Sequence, residues 1–385
     1  MHSRTALIVG AGIGGLAAGV ALQRAGWRIR LFERAASPRE VGFALNLAAN
    51  AMIALDELGV ADRVVAGGHR TGRAEIRRGD GRALKRVHLP DAINGARAIV
   101  ATRPVLHGAL LDAVGPEPLM SGSQAIGFEA GPSGVTLLLA DGRRASGAVL
   151  IGADGVGSAI RRQLHPHEAP PRASGYCALR GVAYKAAHLM GDVSAATYLG
   201  PGIEASLAHA GSNAVYWYMS LLTSEVASGA EPPAIAERFG ARLDDTFRAM
   251  VRSTKPEDMR FDPLFDRDPL DTWGSGAVTL LGDAAHPMLP HTGQGAAQAI
   301  EDAVALGLVL ARATDLPAAL RTYERVRSAR TKRLVQRGRR AAWATTTHSA
   351  VVAGLRTALI RITPAARMAR MFLLAGEADP YRELR

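Results

Sequence analysis

The 385-residue chain lacks several features that would assign it to particular protein classes. Its only cysteine, Cys177, cannot form an internal disulfide, so we expect a buried, inert thiol and a cytoplasmic protein. No run reaches the roughly 18 uncharged apolar residues that argue for a membrane span. The first strand-like segment begins at Thr5, so we expect no signal peptide. No group of side chains has metal-ligand spacing, and we expect no metal.

Lysine is scarce, with four in the chain, so the net charge of +11 comes mainly from arginine. Residues 321–370 contain thirteen basic residues and a single acid, Glu324, and this segment therefore carries the whole positive excess. We interpret it as the solvated face of C-terminal helices. Peripheral contact with an anionic membrane surface or an acidic partner stays open. No recognised nucleic-acid-binding module accompanies the charge, so we expect no nucleic-acid partner.

A glycine pattern near the N-terminus indicates a dinucleotide site. Residues 5–10 predict a buried strand, residues 13–25 a helix and residues 28–33 a second strand. In this βαβ arrangement Gly10 permits a tight turn, Gly12 lets a diphosphate approach the backbone, and the helix N-terminus favours negative charge. The residues expected to hold the dinucleotide here are Gly10, Gly12, Ile13, Gly14, Gly15, Glu33 and Arg34.

The acid at the end of the second predicted strand narrows the choice of ligand. Glu33 can accept hydrogen bonds from a ribose, and a carboxylate at this position disfavours a 2′-phosphate. The pattern therefore indicates FAD or NAD, and by itself it does not choose between them.

A second motif, at residues 282–295, distinguishes between FAD and NAD. Gly282-Asp283-Ala284-Ala285-His286-Pro287 follows a predicted strand at residues 277–281, and Gly293-Gln294-Gly295 then opens a predicted helix. Between the two motifs, Asp154-Gly155 ends another predicted strand. In this order the motifs resemble those of the class A flavoprotein monooxygenases, the p-hydroxybenzoate hydroxylase-like family. The resemblance covers most of the chain and is strongest over residues 278–303.

The resemblance implies that FAD is the cofactor and that particular residues hold it. Asp283 would bind the ribityl chain, and the helix opened by Gly295 would point its positive end at the flavin. Asp154, followed by Arg161, belongs to a motif tied to the use of FAD and NAD(P)H. His286 is expected to be structural. The cofactor-binding residues implied in this part of the chain are Arg103, Ala125, Asp154, Asp283, Gly293, Gln294, Gly295 and Ala296.

Residues 42–51 match a family loop that covers the flavin. Ala44 and Ala49 replace a Gly and a Pro that are often found in that loop.

The implied activity is hydroxylation of an aromatic or heteroaromatic small molecule. NADH or NADPH would reduce FAD, O2 would give a flavin C4a-hydroperoxide, and oxygen would pass to an electron-rich ring. No second dinucleotide fold is visible, so the nicotinamide would bind transiently. Two alternatives stay open: another flavin chemistry such as epoxidation, and an FAD-binding regulatory or interaction protein without hydroxylase activity. Halogenation is disfavoured because the Gly-x-Trp-x-Trp-x-Ile-Pro signature is absent.

The substrate side is less specific, and no catalytic residue is identified. Tyr216 and Tyr218 alternate on a predicted strand and should share one face. Glu204 stands where some relatives place an Arg toward an anionic substrate, which disfavours a small anion such as urate or salicylate. The substrate-pocket candidates are Arg180, Glu204, Tyr216, Tyr218 and Pro290.

We expect an α/β protein: a Rossmann-like FAD-binding domain with an inserted, mainly antiparallel β-sheet substrate domain and C-terminal helices. The FAD-binding domain would take residues 1–71, 96–168 and 272–385, and the substrate domain residues 72–95 and 169–271. One helix is predicted near residues 233–247. The C-terminal helical region should be broken at Pro317 and Pro364. A monomer or a homodimer is expected.

Overall fold

The computed structural model describes residues 4–37, 43–89, 98–131, 134–211, 213–373 and 381–384. Its strands are β1 (Thr5–Val9), β2 (Arg28–Phe32), β3 (Ala44–Leu47), β4 (His69–Arg70), β5 (Arg73–Arg78), β6 (Ala83–His88), β7 (Ile99–Thr102), β8 (Leu119–Met120), β9 (Ala125–Gly131), β10 (Gly134–Leu139), β11 (Arg144–Gly147), β12 (Val149–Gly152), β13 (Arg172–Tyr184), β14 (Ala195–Gly200), β15 (Ile203–His209), β16 (Ala214–Leu222), β17 (Met259–Asp266) and β18 (Val278–Leu280). Its helices are α1 (Ile13–Arg24), α2 (Ala49–Glu57), α3 (Ala61–Gly67), α4 (Arg103–Val114), α5 (Ala159–Leu164), α6 (Pro232–Gly240), α7 (Asp245–Arg252), α8 (Gly295–Ala311), α9 (Leu316–Thr345), α10 (Ala350–Ile362) and α11 (Ala365–Leu373).

A parallel sheet forms the centre of the fold. Its strands lie in the order β18-β12-β1-β2-β8, and each pair is parallel. β1 is apolar on both faces because helices and a second sheet cover it, and Leu7 and Ile8 are fully buried. The carboxyl ends of β1, β2, β12 and β18 therefore meet at one edge, where the two glycine motifs begin.

A seven-stranded sheet lies beside this core in the order β17-β13-β16-β15-β14-β5-β6. Its pairs are antiparallel except β14 with β5, and the β5–β6 hairpin predicted around residues 79–81 belongs to it. One face packs on α6 and α7 through an apolar cluster that includes Trp217 and Phe247. The other face is more polar. The predicted fold class is confirmed, and the domain boundaries stay a prediction.

Two predictions about helices were wrong. A single helix was predicted over residues 233–247, but the chain forms α6 and α7, because Asp244 ends the intervening turn and its carboxylate accepts from Phe247 N at 2.9 Å. Pro317 does not break the C-terminal region, since it lies in the first turn of α9, where a missing N–H is tolerated. The break before α10 is a turn at residues 346–349, and Pro364 does separate α10 from α11.

The basic segment 321–370 is only partly a solvated face. Arg327 is 1% exposed and Arg339 pairs with Asp266 and Asp268, whereas Arg337 and Arg340 are exposed. Several arginines of the segment therefore hold the fold together. Within the part of the chain that the structure describes, no helix is long and apolar enough to cross a bilayer.

Cys177 lies on β13 of the seven-stranded sheet. It is fully buried, and burial raises the pKa of its thiol to about 11. A thiol in this environment is uncharged at neutral pH and is a poor nucleophile.

Candidate active site

The turn between β1 and α1 brings a helix N-terminus to the edge of the parallel sheet. Gly10 has a φ of 100°, and a methyl group on Gly15 would overlap the Gly10 carbonyl oxygen. Gly12 precedes the first turn of α1, which has no side-chain cap. The first N–H groups of α1 are therefore available to an anion, as a diphosphate-binding turn requires. Ile13 and Gly14 lie in that first turn.

Glu33 is fixed just after β2, beside this turn. Its Oε2 accepts from Ala11 N at 2.8 Å, and its Oε1 accepts from Ala35 N at 2.8 Å. A carboxylate offers about four lone-pair positions, so two hydrogen bonds leave acceptors for a ribose. Arg34 is exposed next to it. His107, which the sequence did not single out, holds the Ala11 carbonyl through Nε2 at 2.9 Å.

The second motif places Asp283 at the bottom of a cleft. Its side chain is accessible to solvent. The surrounding protein nevertheless raises its pKa by burial, and the nearby charges of His286 and Arg103 oppose this shift. A methyl group on Gly295 would lie 3.9 Å from Oδ1 of Asp283. The carboxylate and the N-terminus of α8 therefore face the same space.

The chain enters α8 through a left-handed residue. Gly293 has a φ of 62°, and α8 also begins without a side-chain cap. The Gln294 side chain turns away to Asn50, whose Nδ2 donates to Gln294 Oε1 at 2.9 Å. Ala296 is half-buried in the first turn of α8. A second helix N-terminus is thus open to an anionic or electron-rich group.

Behind this turn lies a buried network of charged side chains. Asp302 accepts from Gly282 N at 3.0 Å, contacts His286 Nε2 at 2.6 Å, and accepts from Arg327 Nε at 2.7 Å. Arg327 also donates to Glu301 at 2.6 Å. Burial raises the pKa of Asp302, but the charges of His286 and Arg327 outweigh that effect and lower it to about 2. His286 thus contacts the network rather than the cleft, and the sequence patterns did not indicate Asp302 or Arg327.

Asp154 and Arg161 connect the middle motif to the second motif. Both oxygens of Asp154 face the start of α5, where they accept from the Ser158 hydroxyl and from Ala159 N. Arg161 is buried, and its Nη1 donates to the carbonyls of Ala284 and Ala285 at 2.9 Å each. Arg161 thus positions the backbone next to Asp283, and Asp154 fixes the start of α5, which carries Arg161.

Arg103 begins α4, and its backbone N donates to the Phe43 carbonyl at 2.6 Å. Burial raises the pKa of both Asp283 and Tyr216, and the Arg103 guanidinium charge opposes that shift in each, so Arg103 lies near both groups. Ala125 begins β9, opposite Leu139 in a three-stranded sheet.

The segment matched to the flavin-covering loop is only partly described. Ala44 begins β3, which pairs with β7, and Ala49 begins α2. Gly42 lies outside the described residues.

The polar face of the seven-stranded sheet gathers the substrate-pocket candidates. Tyr218 lies opposite Arg180 on β13, and Glu204 lies opposite Ser220 on β16. Tyr216 and Tyr218 share this face, as alternation along a strand requires, while Trp217 points to the opposite one.

A short 3-10 helix, Pro290–Thr292, lies over this face. His291 Nε2 and Ser220 Oγ are 2.8 Å apart. The Tyr176 and His291 rings meet edge to face at 5.7 Å. Arg180 pairs with Asp262 at 3.5 Å. The pocket thus lies between the sheet and the segment that leads into α8, on the same side as Asp283.

Burial dominates the chemistry of this pocket. It raises the pKa of Glu204 to about 7, against the opposing effects of the Thr345 hydroxyl and the Arg356 charge. It raises the pKa of Tyr216 to about 12 and lowers that of His291 to about 4. Among the described residues, Glu204 Oε2, His291 Nδ1 and Thr292 Oγ1 are buried without a hydrogen-bond partner. Such groups favour a polar ligand that supplies the missing partners.

Comparison with known proteins assigns the family. The sequence profile of a family described as FAD binding domain matches residues 3–338. The chain belongs to this FAD-binding family. The aurachin C monooxygenase/isomerase of Stigmatella aurantiaca is 38% identical over 329 residues, which cover 84% of this chain and 85% of that protein. The 3-hydroxybenzoate 6-hydroxylase 1 of Aquipseudomonas alcaligenes is 35% identical, with 87% of each chain covered.

The fold of a solved relative agrees with this assignment. Klebsiella pneumoniae HpxO, solved with FAD and uric acid, superimposes with a TM-score of 0.90 at 28% identity, over 96% of each chain. The chain is therefore an FAD-dependent monooxygenase of the class A aromatic hydroxylases, and FAD rather than NAD is its bound cofactor.

The residues present fit that cofactor. Two helix N-termini without side-chain caps, those of α1 and α8, open toward the same edge of the parallel sheet. Glu33 keeps free acceptors at one end of this edge, and Asp283 is accessible at the other. This arrangement suits a ligand with a diphosphate between two polyol or sugar groups.

Proposed function

We propose that this flavoenzyme hydroxylates a phenol or a hydroxylated heterocycle that carries no carboxylate. The observation that carries the proposal is the unpartnered Oε2 of Glu204, buried on the same sheet face as Tyr216 and Tyr218. A buried carboxyl group favours an N–H or O–H donor on the ligand and disfavours an anion beside it.

We further propose how the chain holds FAD. The N-terminus of α1 would bind the diphosphate, Glu33 the adenosine ribose, and Asp283 the ribityl hydroxyls. Arg103, Gly293, Gln294, Gly295 and Ala296 would surround the flavin ring, with the α8 N-terminus stabilising negative charge on it. Bound FAD supplies the redox chemistry, in which a nicotinamide provides electrons and O2 provides the transferred oxygen atom.

The pocket residues would orient the substrate, exclude water and hold a proton. Tyr216 and Tyr218 would orient the ring and exclude water, because Tyr218 is buried and Tyr216 is half-buried on the same sheet face. Glu204 would accept a hydrogen bond from the substrate or hold its proton, since a carboxyl group with a pKa near 7 exists in both protonation states at neutral pH. Arg180, paired with Asp262, would set the polarity of the same sheet face beside Tyr218.

Epoxidation stays the second candidate. Zeaxanthin epoxidase from Solanum lycopersicum is 32% identical over 352 residues, which are 84% of this chain and 52% of that protein. The same oxygen transfer to a carbon–carbon double bond would then give an epoxide. Both reactions add one oxygen atom and give the same mass increase, so hydrolysis of an epoxide to a diol distinguishes the two.

The test uses the FAD-loaded protein and matched ligand pairs, such as a phenol and the corresponding hydroxybenzoate. We expect the neutral member to accelerate NADH or NADPH oxidation and to yield an oxygenated product by mass spectrometry. Glu204→Gln should raise KM for that ligand, whereas Glu129→Gln, at an exposed position, should not. A clear preference for the carboxylate member would refute the substrate assignment. Stimulated oxidation that yields only H2O2 for every ligand would refute hydroxylation itself.

A further inference from the structure

Helix α10 presents apolar side chains to solvent rather than to the core. Its four large outward residues are between 60% and 74% exposed. They follow one another at intervals of four, four and three residues, which places them on one side of the helix. Arg356 and Thr357, in contrast, are half-buried on the inner side. The outward row, which we call the α10 row, consists of Val351, Gly354, Leu355, Ala358, Leu359 and Ile362.

The surroundings of the α10 row are positively charged. Residues 349–376, which include α10 and α11, contain four arginines and no acid. Arg361 and Arg367 are exposed at the end of the row, on either side of Pro364. Lys85 of β6 reaches the same end, where its Nζ donates to the Arg361 carbonyl at 2.7 Å. An apolar strip with a cationic rim is typical of helices that lie in the interface of an anionic bilayer.

The helix is fastened to the wall of the substrate pocket. Arg356 Nη1 donates to the carbonyls of Ala344 and Thr345 at 2.8 and 2.9 Å. In the turn before α10, the Thr347 carbonyl accepts a hydrogen bond from Gly202 N at 3.1 Å. Gly202 immediately precedes the strand that carries Glu204. Any surface that covers α10 therefore comes to lie beside the pocket.

We propose that the α10 row docks this enzyme on the surface of an anionic lipid bilayer. The aliphatic side chains enter the boundary between headgroups and acyl chains, and the cations contact lipid phosphates. A second copy of the chain is a poorer occupant, because it would bring two surfaces of the same positive sign together. Docking also places the pocket next to the bilayer, where a lipophilic aromatic substrate is concentrated.

The experiment measures co-sedimentation of the full-length, FAD-loaded protein with lipid vesicles. We expect binding to phosphatidylcholine vesicles that contain phosphatidylglycerol, weaker binding to phosphatidylcholine alone, and a decrease with salt. Leu355→Glu/Leu359→Glu should weaken binding on the order of 100-fold, because two apolar side chains no longer enter the bilayer. Arg361→Glu/Arg367→Glu should weaken it by roughly tenfold or more.

Ile126→Glu is the matched control, because Ile126 is 57% exposed on β9, outside the α10 row. It should bind vesicles as the parent protein does. FAD content and thermal unfolding of each variant establish that it is folded, and exposed substitutions should leave both unchanged. Equal binding by Leu355→Glu/Leu359→Glu and Ile126→Glu would overturn the proposal. So would absence of binding to anionic vesicles, or a dimer in solution that Leu355→Glu/Leu359→Glu dissociates. None of these outcomes depends on whether hydroxylation is observed.

Discussion

Removal of the Asp283 carboxylate should weaken FAD binding without unfolding the protein. The side chain is accessible at the bottom of the cleft, and a methyl group on Gly295 would lie 3.9 Å from its Oδ1. A charged group that hydrogen-bonds a ligand hydroxyl contributes about 1.5–3 kcal/mol. The FAD dissociation constant of Asp283→Ala should therefore rise about 10- to 150-fold.

The assay is equilibrium dialysis of the apoprotein against FAD, with flavin fluorescence as the readout. Asp271→Ala is the matched control, since Asp271 is 94% exposed and pairs with the surface residue Lys332. It should leave the dissociation constant unchanged. Asp283→Asn should fall between the two, because an amide keeps a hydrogen-bonding group and loses the charge. If Asp283→Ala binds FAD within about twofold of the parent protein, the carboxylate does not hold the cofactor.

Four further predictions concern stability, its pH dependence, release of H2O2 and binding of DNA. Arg327→Met should destabilise the fold by about 3–5 kcal/mol in urea unfolding, because it leaves Glu301 and Asp302 buried without their cation, whereas exposed Arg337→Met should change stability by no more than about 0.5 kcal/mol. Burial raises the pKa of Glu204 from 4.5 to about 7, so folding favours its protonated form. The stability of the parent protein relative to Glu204→Gln should then fall as pH rises through this interval, and a flat difference would contradict the assignment. Tyr216→Ala should raise the fraction of H2O2 released per NAD(P)H more than it slows flavin reduction, as measured by peroxide assay and stopped-flow absorbance. Duplex DNA should not bind tightly at about 150 mM salt, and tight binding that Arg337→Ala/Arg340→Ala abolishes would disprove this.

Much of the fold could be predicted from local sequence patterns. The apolar run before Gly10, the helix after it and the acid at Glu33 specify a βαβ unit through interactions between near neighbours in sequence. The same holds for Gly282–Gly295, where a left-handed glycine and a helix start are local properties of the backbone. These motifs were therefore sufficient to indicate FAD and the family. Local signals failed where a capping side chain started a new helix, as Asp244 does before α7.

What the sequence could not supply were the contacts between distant segments. In the sequence, Arg327 could not be distinguished from the other basic residues of segment 321–370. Only the packing of α9 on α8 shows that it is buried against Glu301 and Asp302. Glu204 was a departure from a family pattern, and the sheet register and the approach of Thr345 and Arg356 make it a buried carboxyl group with a raised pKa.

The sequence by itself determined the family and its cofactor, because the glycines and acids of the two motifs act through backbone geometry within a few residues. The tertiary structure decided the substrate pocket and the α10 row. Burial and charge at those places depend on which surfaces the rest of the chain covers, and long-range packing alone determines this.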